Sequence, residues 1–226
     1  MYVPATLALP APPSAPAGVL AGEAPSGEVA AAAPIQNTAI GVLRADLDVL
    51  AGHVASIAGA LLVAPGKVDR HSAGLAGRRV VLQVRERRGW RTLAGTRTGA
   101  HGRYRLRYRP ARIGTELVRL RFAGDGEDRG SHRRLGSLNS FRLADASWYG
   151  GGGSMACGGW LTSSTLGVAN KTLPCGTRVT LRYDGHTVRV PVVDRGPYVA
   201  GREYDLTEAT KRALGFEGVG EVWATR

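Results

Sequence analysis

Residues 190–215 read VPVVDRGPYVAGREYDLTEATKRALG. An apolar run that is typical of a strand ends at Asp194, where a Gly-Pro pair stops it. After a polar loop the chain returns as a second short apolar strand that carries Asp205. Thr207 then suits the N-cap of a short helix, which Gly215 would end. The stretch therefore predicts strand, loop, strand and helix, with one carboxylate on each strand.

The residues before this stretch predict a β-hairpin. Residues 178–183 and 186–193 both have the composition of strands, and Asp184-Gly185 between them is a strong two-residue turn signal. In the second strand Val188, Val190 and Val192 fall on one face, because successive side chains of a strand alternate in direction.

The middle of the chain has a period of two. Tyr104, Leu106 and Tyr108 alternate with the arginines at 103, 105, 107 and 109, which is the pattern of a half-buried strand. Several such strands separated by turns predict an antiparallel sandwich of roughly ninety residues. The glycines of residues 99–102 predict a hairpin loop between strands 90–98 and 103–109.

Charge and composition divide the chain into three parts. The net charge of +12 comes from residues 40–145, which hold 21 Lys and Arg against 9 Asp and Glu. Residues 1–40 are dominated by Ala, Pro and Gly, and we expect a disordered tail or residual leader there. No apolar run of eighteen residues exists, so no transmembrane helix is expected.

Two cysteines, Cys157 and Cys175, lie in the last part of the chain. With one nearby His they cannot supply the four ligands of a structural zinc site at any usual spacing. No metal site and no cofactor are expected in this chain. A disulfide between them is the better interpretation, and it favours an oxidising, extracytoplasmic compartment.

Four blocks in the last third resemble a known family. They are, in order, Ala146-Ser147-Trp148-Tyr149-Gly150, Lys171-Thr172-Leu173-Pro174-Cys175-Gly176-Thr177, Val193-Asp194-Arg195-Gly196-Pro197-Tyr198 and Tyr204-Asp205-Leu206-Thr207. On these blocks, residues 146–226 resemble the rare lipoprotein A (RlpA) family of septal lytic transglycosylases. The resemblance implies a six-stranded double-psi β-barrel, as in expansins and barwins, and an exported or wall-associated protein that acts on peptidoglycan.

The basic middle part resembles a second group. Four stretches are similar to the immunoglobulin-like modules of secreted actinobacterial wall proteins: Gly77–Gln83, Trp90-Arg91-Thr92, Gly102-Arg103-Tyr104 and Arg119–Asp125. The expected architecture is all-β: a tail over 1–40, an Ig-like β-sandwich over 41–145 and the double-psi barrel over 146–226.

The resemblance implies a site around two carboxylates. Asp205 would be the acid/base of an endolytic lytic transglycosylase, and Asp194 would assist it. Five further residues are predicted to contact the glycan: Trp148, Tyr149, Asn170, Arg195 and Tyr198. The alternative is that Asp194 holds a turn or pairs with Arg195, and that Asp205 caps the helix.

One departure from the family keeps a second function open. Where lytic members carry Glu, Asp and His, this chain has Gly159, Thr162 and Asn170, none of which titrates. A non-catalytic module that binds peptidoglycan, in the manner of expansins or barwins, is therefore the alternative.

The arginines of 103–109 could bind anionic wall polymers or could be an ordinary solvated face. Nucleic acid is not an expected partner, because no recognised reader motif occurs.

Overall fold

The computed structural model describes residues 34–64 and 73–226. Residues 1–33, most of the predicted tail, lie outside the described part. The elements are β1 Thr38–Asp46, β2 Asp48–Leu50, β3 Ala55–Val63, β4 Arg79–Glu86, β5 Gly89–Arg97, a 3₁₀ turn Ala100–Gly102, β6 Arg103–Tyr108, β7 Gly114–Phe122, β8 Ser131–Tyr149, β9 Gly153–Ser154, β10 Trp160–Leu161, β11 Val168–Ala169, β12 Arg178–Tyr183, β13 His186–Asp194, β14 Tyr204–Thr207, α1 Glu208–Leu214 and β15 Gly220–Ala224. No helix in this part of the chain is long and apolar enough to cross a membrane.

The first half consists of two sheets over one core. Strands β1, β3 and β6 form one sheet, and β5, β4, β7 and the first half of β8 form the other. Period-two alternation turns one face of each strand inward, and the two inner faces share a core that includes Ile57, Leu61, Leu82, Leu106 and Leu120.

The hairpin predicted at residues 99–102 is wrong. Strand β5 pairs with β4, and β6 pairs with β3, so the connection crosses from one sheet to the other. Gly102 has a φ of +68°, and a Cβ there would lie 2.1 Å from the carbonyl oxygen of Leu61. Gly102 lets the chain pass close to the backbone of β3, and a sequence pattern cannot distinguish this requirement from that of a tight turn.

The second half closes into a barrel. The strand order β14-β11-β13-β12-β15-β8 is completed by parallel pairing of β14 with β8, so six strands surround a core that includes Val190, Tyr204, Leu206 and Phe216. This all-β, closed six-strand arrangement agrees with the predicted double-psi barrel.

Local signals in the barrel are confirmed. Asp184 and Gly185 have φ angles of +41° and +83° and join β12 to β13 in register. The Thr207 hydroxyl accepts a hydrogen bond from the backbone N–H of Thr210 and caps α1. Gly215 ends the helix in the left-handed conformation.

Strand β8 belongs to both halves. Residues 131–140 pair with β7, and residues 142–149 pair with β15 and β14, with no break at the expected boundary near residue 145. Contacts across the junction include Phe141 against Trp223, with ring centroids 5.8 Å apart, and Arg182 with Asp48 at 3.1 Å. The shared strand and these contacts join the two halves directly rather than through a flexible linker.

Candidate functional site

The two predicted carboxylates lie in one row across the barrel wall. Ala169 of β11 is the register partner of Asp194 on β13 and of Asp205 on β14. Asp205 is in turn opposite Ser147 of β8. Adjacent strands are about 4.8 Å apart, so the Cα atoms of the two aspartates are separated by roughly 10 Å. Tertiary pairing thus brings together two residues that the sequence could only mark separately.

Asp205 is a half-buried acid. Its carboxylate accepts a hydrogen bond of 2.8 Å from the Ser147 hydroxyl. Burial raises the pKa of Asp205, and the nearby charge of Asp194 raises it further, while Ser147 and Arg202 act in the opposite direction. Asp205 therefore holds its proton to a higher pH than a free aspartate does, which suits a group that must donate one.

Asp194 is bound to the backbone. One of its oxygens accepts hydrogen bonds of 2.8 Å from the N–H groups of Ala156 and Arg195. The carboxylate therefore fixes both the loop before β10 and the turn after β13. The predicted alternative of an ion pair with Arg195 does not occur, since that guanidinium turns elsewhere.

We expect Asp194→Ala to destabilise the protein by about 1–2 kcal/mol, because two backbone N–H groups lose their acceptor. Asp194→Asn should retain most of the stability, since its amide oxygen can still accept both bonds. Urea unfolding of the two variants and the wild type measures the difference. An Ala variant as stable as the wild type would show that these bonds contribute nothing.

The Tyr149 hydroxyl lies near enough to both carboxylates for their charges to act on it. Its oxygen is buried and makes no hydrogen bond of good geometry within the described residues. Burial raises the pKa of Tyr149, and Asp194 and Asp205 raise it further. The phenol thus stays protonated and offers an O–H donor beside the two acids, whereas the sequence predicted a direct contact with the glycan.

Asn170 and Arg195 hold a loop. The Asn170 side chain donates to the carbonyl of Glu203 at 3.0 Å and accepts from the N–H groups of Thr172 and Leu173. Arg195 donates to the carbonyls of Asn170 and Leu173. Both were predicted to contact the glycan, and in the structure both are engaged with the backbone of residues 170–173.

The predicted disulfide between Cys157 and Cys175 is present. It ties the loop that donates to Asp194 to the loop that Arg195 holds. Gly159 lies in the first of these loops with a φ of +83°, a conformation that strains any side chain with a Cβ. The Thr162 hydroxyl is within hydrogen-bond distance of Ser164 and Thr165, so it stays within its own turn.

Three aromatic rings in the second half of the chain are exposed. Trp148, adjacent to Ser147, is 41% exposed and has the Lys211 ammonium 4.3 Å from its ring centroid. Tyr198 follows Asp194 in the chain and is 83% exposed, and Trp160 on β10 is 67% exposed. Such rings can stack on sugars.

Two residues of the site were missed from the sequence. Ser147 and Arg202 both act on the Asp205 carboxyl. The sequence could have indicated Ser147, because it lies two residues before Tyr149 and therefore on the same face of one strand. Arg202 lies in the loop before β14, where no periodicity indicates direction.

Residues 143–223 match the protein family described as lytic transglycolase. The probable endolytic peptidoglycan transglycosylase RlpA of Synechocystis sp. is 43% identical over 84 residues, which cover 34% of this chain and 26% of that protein. Its namesake from Aquifex aeolicus is 43% identical over 75 residues, covering 31% and 33%. The endolytic peptidoglycan transglycosylase RlpA of Neisseria meningitidis serogroup A is 38% identical over 84 residues, covering 35% of each.

The chain therefore spans between 26% and 35% of the length of these relatives, and the similarity is confined to the barrel. Among solved structures, the Streptomyces papain inhibitor is 30% identical over 38% of this chain and 94% of its own, with a TM-score of 0.33.

Proposed function

Because residues 143–223 are an RlpA-like lytic transglycolase domain within a closed six-strand barrel, we propose that this protein cleaves peptidoglycan glycan strands as an endolytic lytic transglycosylase. One observation carries the proposal. Asp205 is a carboxyl of raised pKa in register with a second carboxylate, Asp194, and beside a protonated phenol, Tyr149. Paired acids with different environments are the usual means of glycosidic bond cleavage.

The proposed reaction uses the raised pKa of Asp205. The protonated carboxyl donates its proton to the glycosidic oxygen, and the bond from that oxygen to the muramic acid C1 breaks. The 6-hydroxyl of the same muramic acid attacks C1 and closes an anhydro ring, so no water is consumed. The proton of that hydroxyl passes to the Asp205 carboxylate, which is thereby restored, and Asp194 stabilises the positive charge at C1.

The test is incubation of the purified protein with glycan strands stripped of their peptides, followed by mass spectrometry. Products that end in anhydro-muramic acid are expected. Products that end in a reducing sugar would contradict the mechanism, because they contain the elements of water. No product at all from a folded wild type would overturn the enzymatic proposal.

Tyr149→Phe is expected to lower the cleavage rate about tenfold, because it removes the O–H donor beside the two acids. It should not lower stability, because the Tyr149 hydroxyl makes no hydrogen bond that the variant would lose. Tyr204→Phe is the matched control, since its hydroxyl donates to the Arg226 carbonyl at 3.0 Å, away from the carboxylates. This control should lose stability and keep the rate. Thermal melting and product yield measure both effects. Equal rates for Tyr149→Phe and wild type would exclude a role for the phenol.

A second candidate function is binding of peptidoglycan without turnover. It is favoured by Gly159, Thr162 and Asn170, which do not titrate and which hold turns and loops with their own backbone or neighbouring hydroxyls. It predicts that the protein sediments with purified sacculi, releases no product, and binds equally well after Asp205→Asn.

We further propose the three-part organisation of a tail over 1–40, an Ig-like sandwich over 41–145 and the barrel over 146–226, in an exported, wall-associated protein. Strand order supports the sandwich, because the first, second and fifth of its long strands form one sheet and the others form the second, as in Ig-related folds. The Cys157–Cys175 disulfide supports an oxidising compartment.

A further inference from the structure

One face of the sandwich carries a concentrated positive charge. The inward residues of β4 and β7 are Val80, Leu82, Val84, Val118, Leu120 and Phe122, all buried. Alternation therefore directs their neighbours outward, and the register brings Arg134 of β8 beside Arg119. We name this surface the arginine face and define it by Arg79, Arg85, Arg119, Arg121 and Arg134.

The positive charge of the arginine face is compensated only in part among the described residues: Glu86 and Glu116 line a depression together with Arg85. The outward residues Val81, Gln83 and Thr92 are uncharged, and Arg97, which is opposite Arg79, adds a further positive charge. Within residues 34–64 and 73–226, none of its five guanidinium groups forms an ion pair. Elsewhere on the sandwich, Arg78 pairs with three carboxylates and Arg91 with Glu86. Arg97, Arg103, Arg105 and Arg107 also form no ion pair in the described part of the chain, so what distinguishes the arginine face is that two of its guanidinium groups converge on the ring of Trp90.

Trp90 organises the centre of the arginine face. The Arg119 guanidinium carbon lies 4.1 Å from the indole centroid and that of Arg85 lies 5.6 Å away. Arg119 also donates from Nε to the Gln83 amide oxygen at 3.0 Å. Burial lowers the pKa of Arg119, and Arg121, Arg85 and Arg134 lower it further. The Arg119 guanidinium is thus held in place against repulsion from its neighbours, which a bound anion would relieve.

The shape of the arginine face suits a chain rather than a small ion. Two open depressions meet at Arg119: one of about 440 Å³ around Trp90 and Arg134, and one of about 220 Å³ reaching Arg121 and His132. Along one strand, arginines two residues apart are separated by roughly 6.6 Å. Planar guanidinium forks match the paired oxygens of phosphate groups.

The position of Trp90 argues against a single-stranded nucleic acid. Proteins that bind such strands stack bases on free aromatic faces. Here Arg119 and Arg85 lie over the indole of Trp90. A polymer that carries phosphates but no bases needs only guanidinium groups, and this surface presents them.

We propose that the arginine face binds a linear phosphodiester polymer of the cell wall, with a polyol or sugar repeat. The choice of a wall polymer rests on the proposed function of the barrel. This site differs from Arg103, Arg105 and Arg107, which lie on β6 in the opposite sheet. Binding here would hold the barrel, which shares strand β8 with this sheet, close to the wall.

The experiment measures binding of the full chain to polyglycerol phosphate by titration calorimetry at several salt concentrations. The test variant is Arg119→Gln with Arg121→Gln and Arg134→Gln. The matched control is Arg103→Gln with Arg105→Gln and Arg107→Gln, which removes the same charge from β6. The test variant should bind at least tenfold more weakly, with a slope of log K against log salt shallower by about 2. The control should change affinity less than threefold.

Equal losses of affinity in both variants would overturn the proposed site, because net charge alone would then explain binding. Unchanged affinity in the test variant would overturn it too, as would equally tight binding of single-stranded DNA. If melting shows that the Gln variant is unfolded, Lys at the same three positions keeps the charge and loses the forks, and a several-fold loss is expected. No glycan is present, so failure here is distinct from failure of the cleavage assay.

Discussion

Asp205→Asn is expected to lower the rate of glycan cleavage by about 10²- to 10⁴-fold, the usual contribution of a general acid. The amide cannot donate a proton to the glycosidic oxygen, yet its oxygen can still accept the hydrogen bond from Ser147. Asp184→Asn is the matched control, since it changes a carboxylate in the exposed turn between β12 and β13. Anhydro-muropeptide yield from the same glycan measures both, and the control should retain the wild-type rate.

The same Asp205→Asn variant should be at least as stable as the wild type at pH 7. The folded-state pKa of Asp205 is raised above its unfolded value, so the folded protein favours the proton. The stabilising contribution of this proton is complete below the unfolded pKa and is lost as pH rises through the folded pKa. Melting curves should therefore show an advantage for Asn at neutral pH that shrinks in acid. An Asn variant that is less stable at pH 7 would indicate a structural role.

The pH dependence of cleavage follows from the same shift. Because the protonated carboxyl is the donor, the wild-type rate should fall as pH rises through the raised pKa of Asp205. A rate that rises steadily over this range would assign the proton to another group.

Loss of the disulfide is expected to have the largest effect on stability. Cys157 and Cys175 are 18 residues apart, and in the chain-entropy model a link over such a loop stabilises the fold by about 3 kcal/mol. Cys157→Ser with Cys175→Ser should therefore unfold at lower urea concentration than the oxidised wild type. Reduction provides the control: dithiothreitol should lower the stability of the wild type to that of the double variant and should leave the double variant unchanged.

The double variant should also cleave more slowly than its stability alone explains. The Ala156 N–H that binds Asp194 immediately precedes Cys157, and the Arg195 guanidinium lies 3.1 Å from the Cys175 sulfur. Without the link, both loops beside Asp194 gain freedom. Equal stability of oxidised and reduced wild type would contradict the predicted role of the disulfide.

Signals confined to a few neighbouring residues were sufficient to predict several elements. Asp184-Gly185 could form only a tight turn between two strands, and Thr207 and Gly215 bounded the helix. Each of these depends on the φ and ψ angles and the hydrogen bonds of adjacent residues, which the residue types at those positions control directly. The inward and outward alternation of β4 and β7 also follows from sequence, since the side-chain period of a strand is two.

The sequence by itself determined the all-β class, the barrel motifs, the cysteine pair and the two carboxylates as candidates. Only the tertiary structure decided which strands meet. In the tertiary structure residues 99–102 connect two different sheets, and strand β8 belongs to both halves. Ala169 lies between Asp194 and Asp205. The physical reason is that strand pairing joins residues far apart in the chain through backbone hydrogen bonds, which carry no mark of their partner. For the same reason the raised pKa of Asp205, which depends on burial and on Ser147, Arg202 and Asp194, could not be predicted from its own motif.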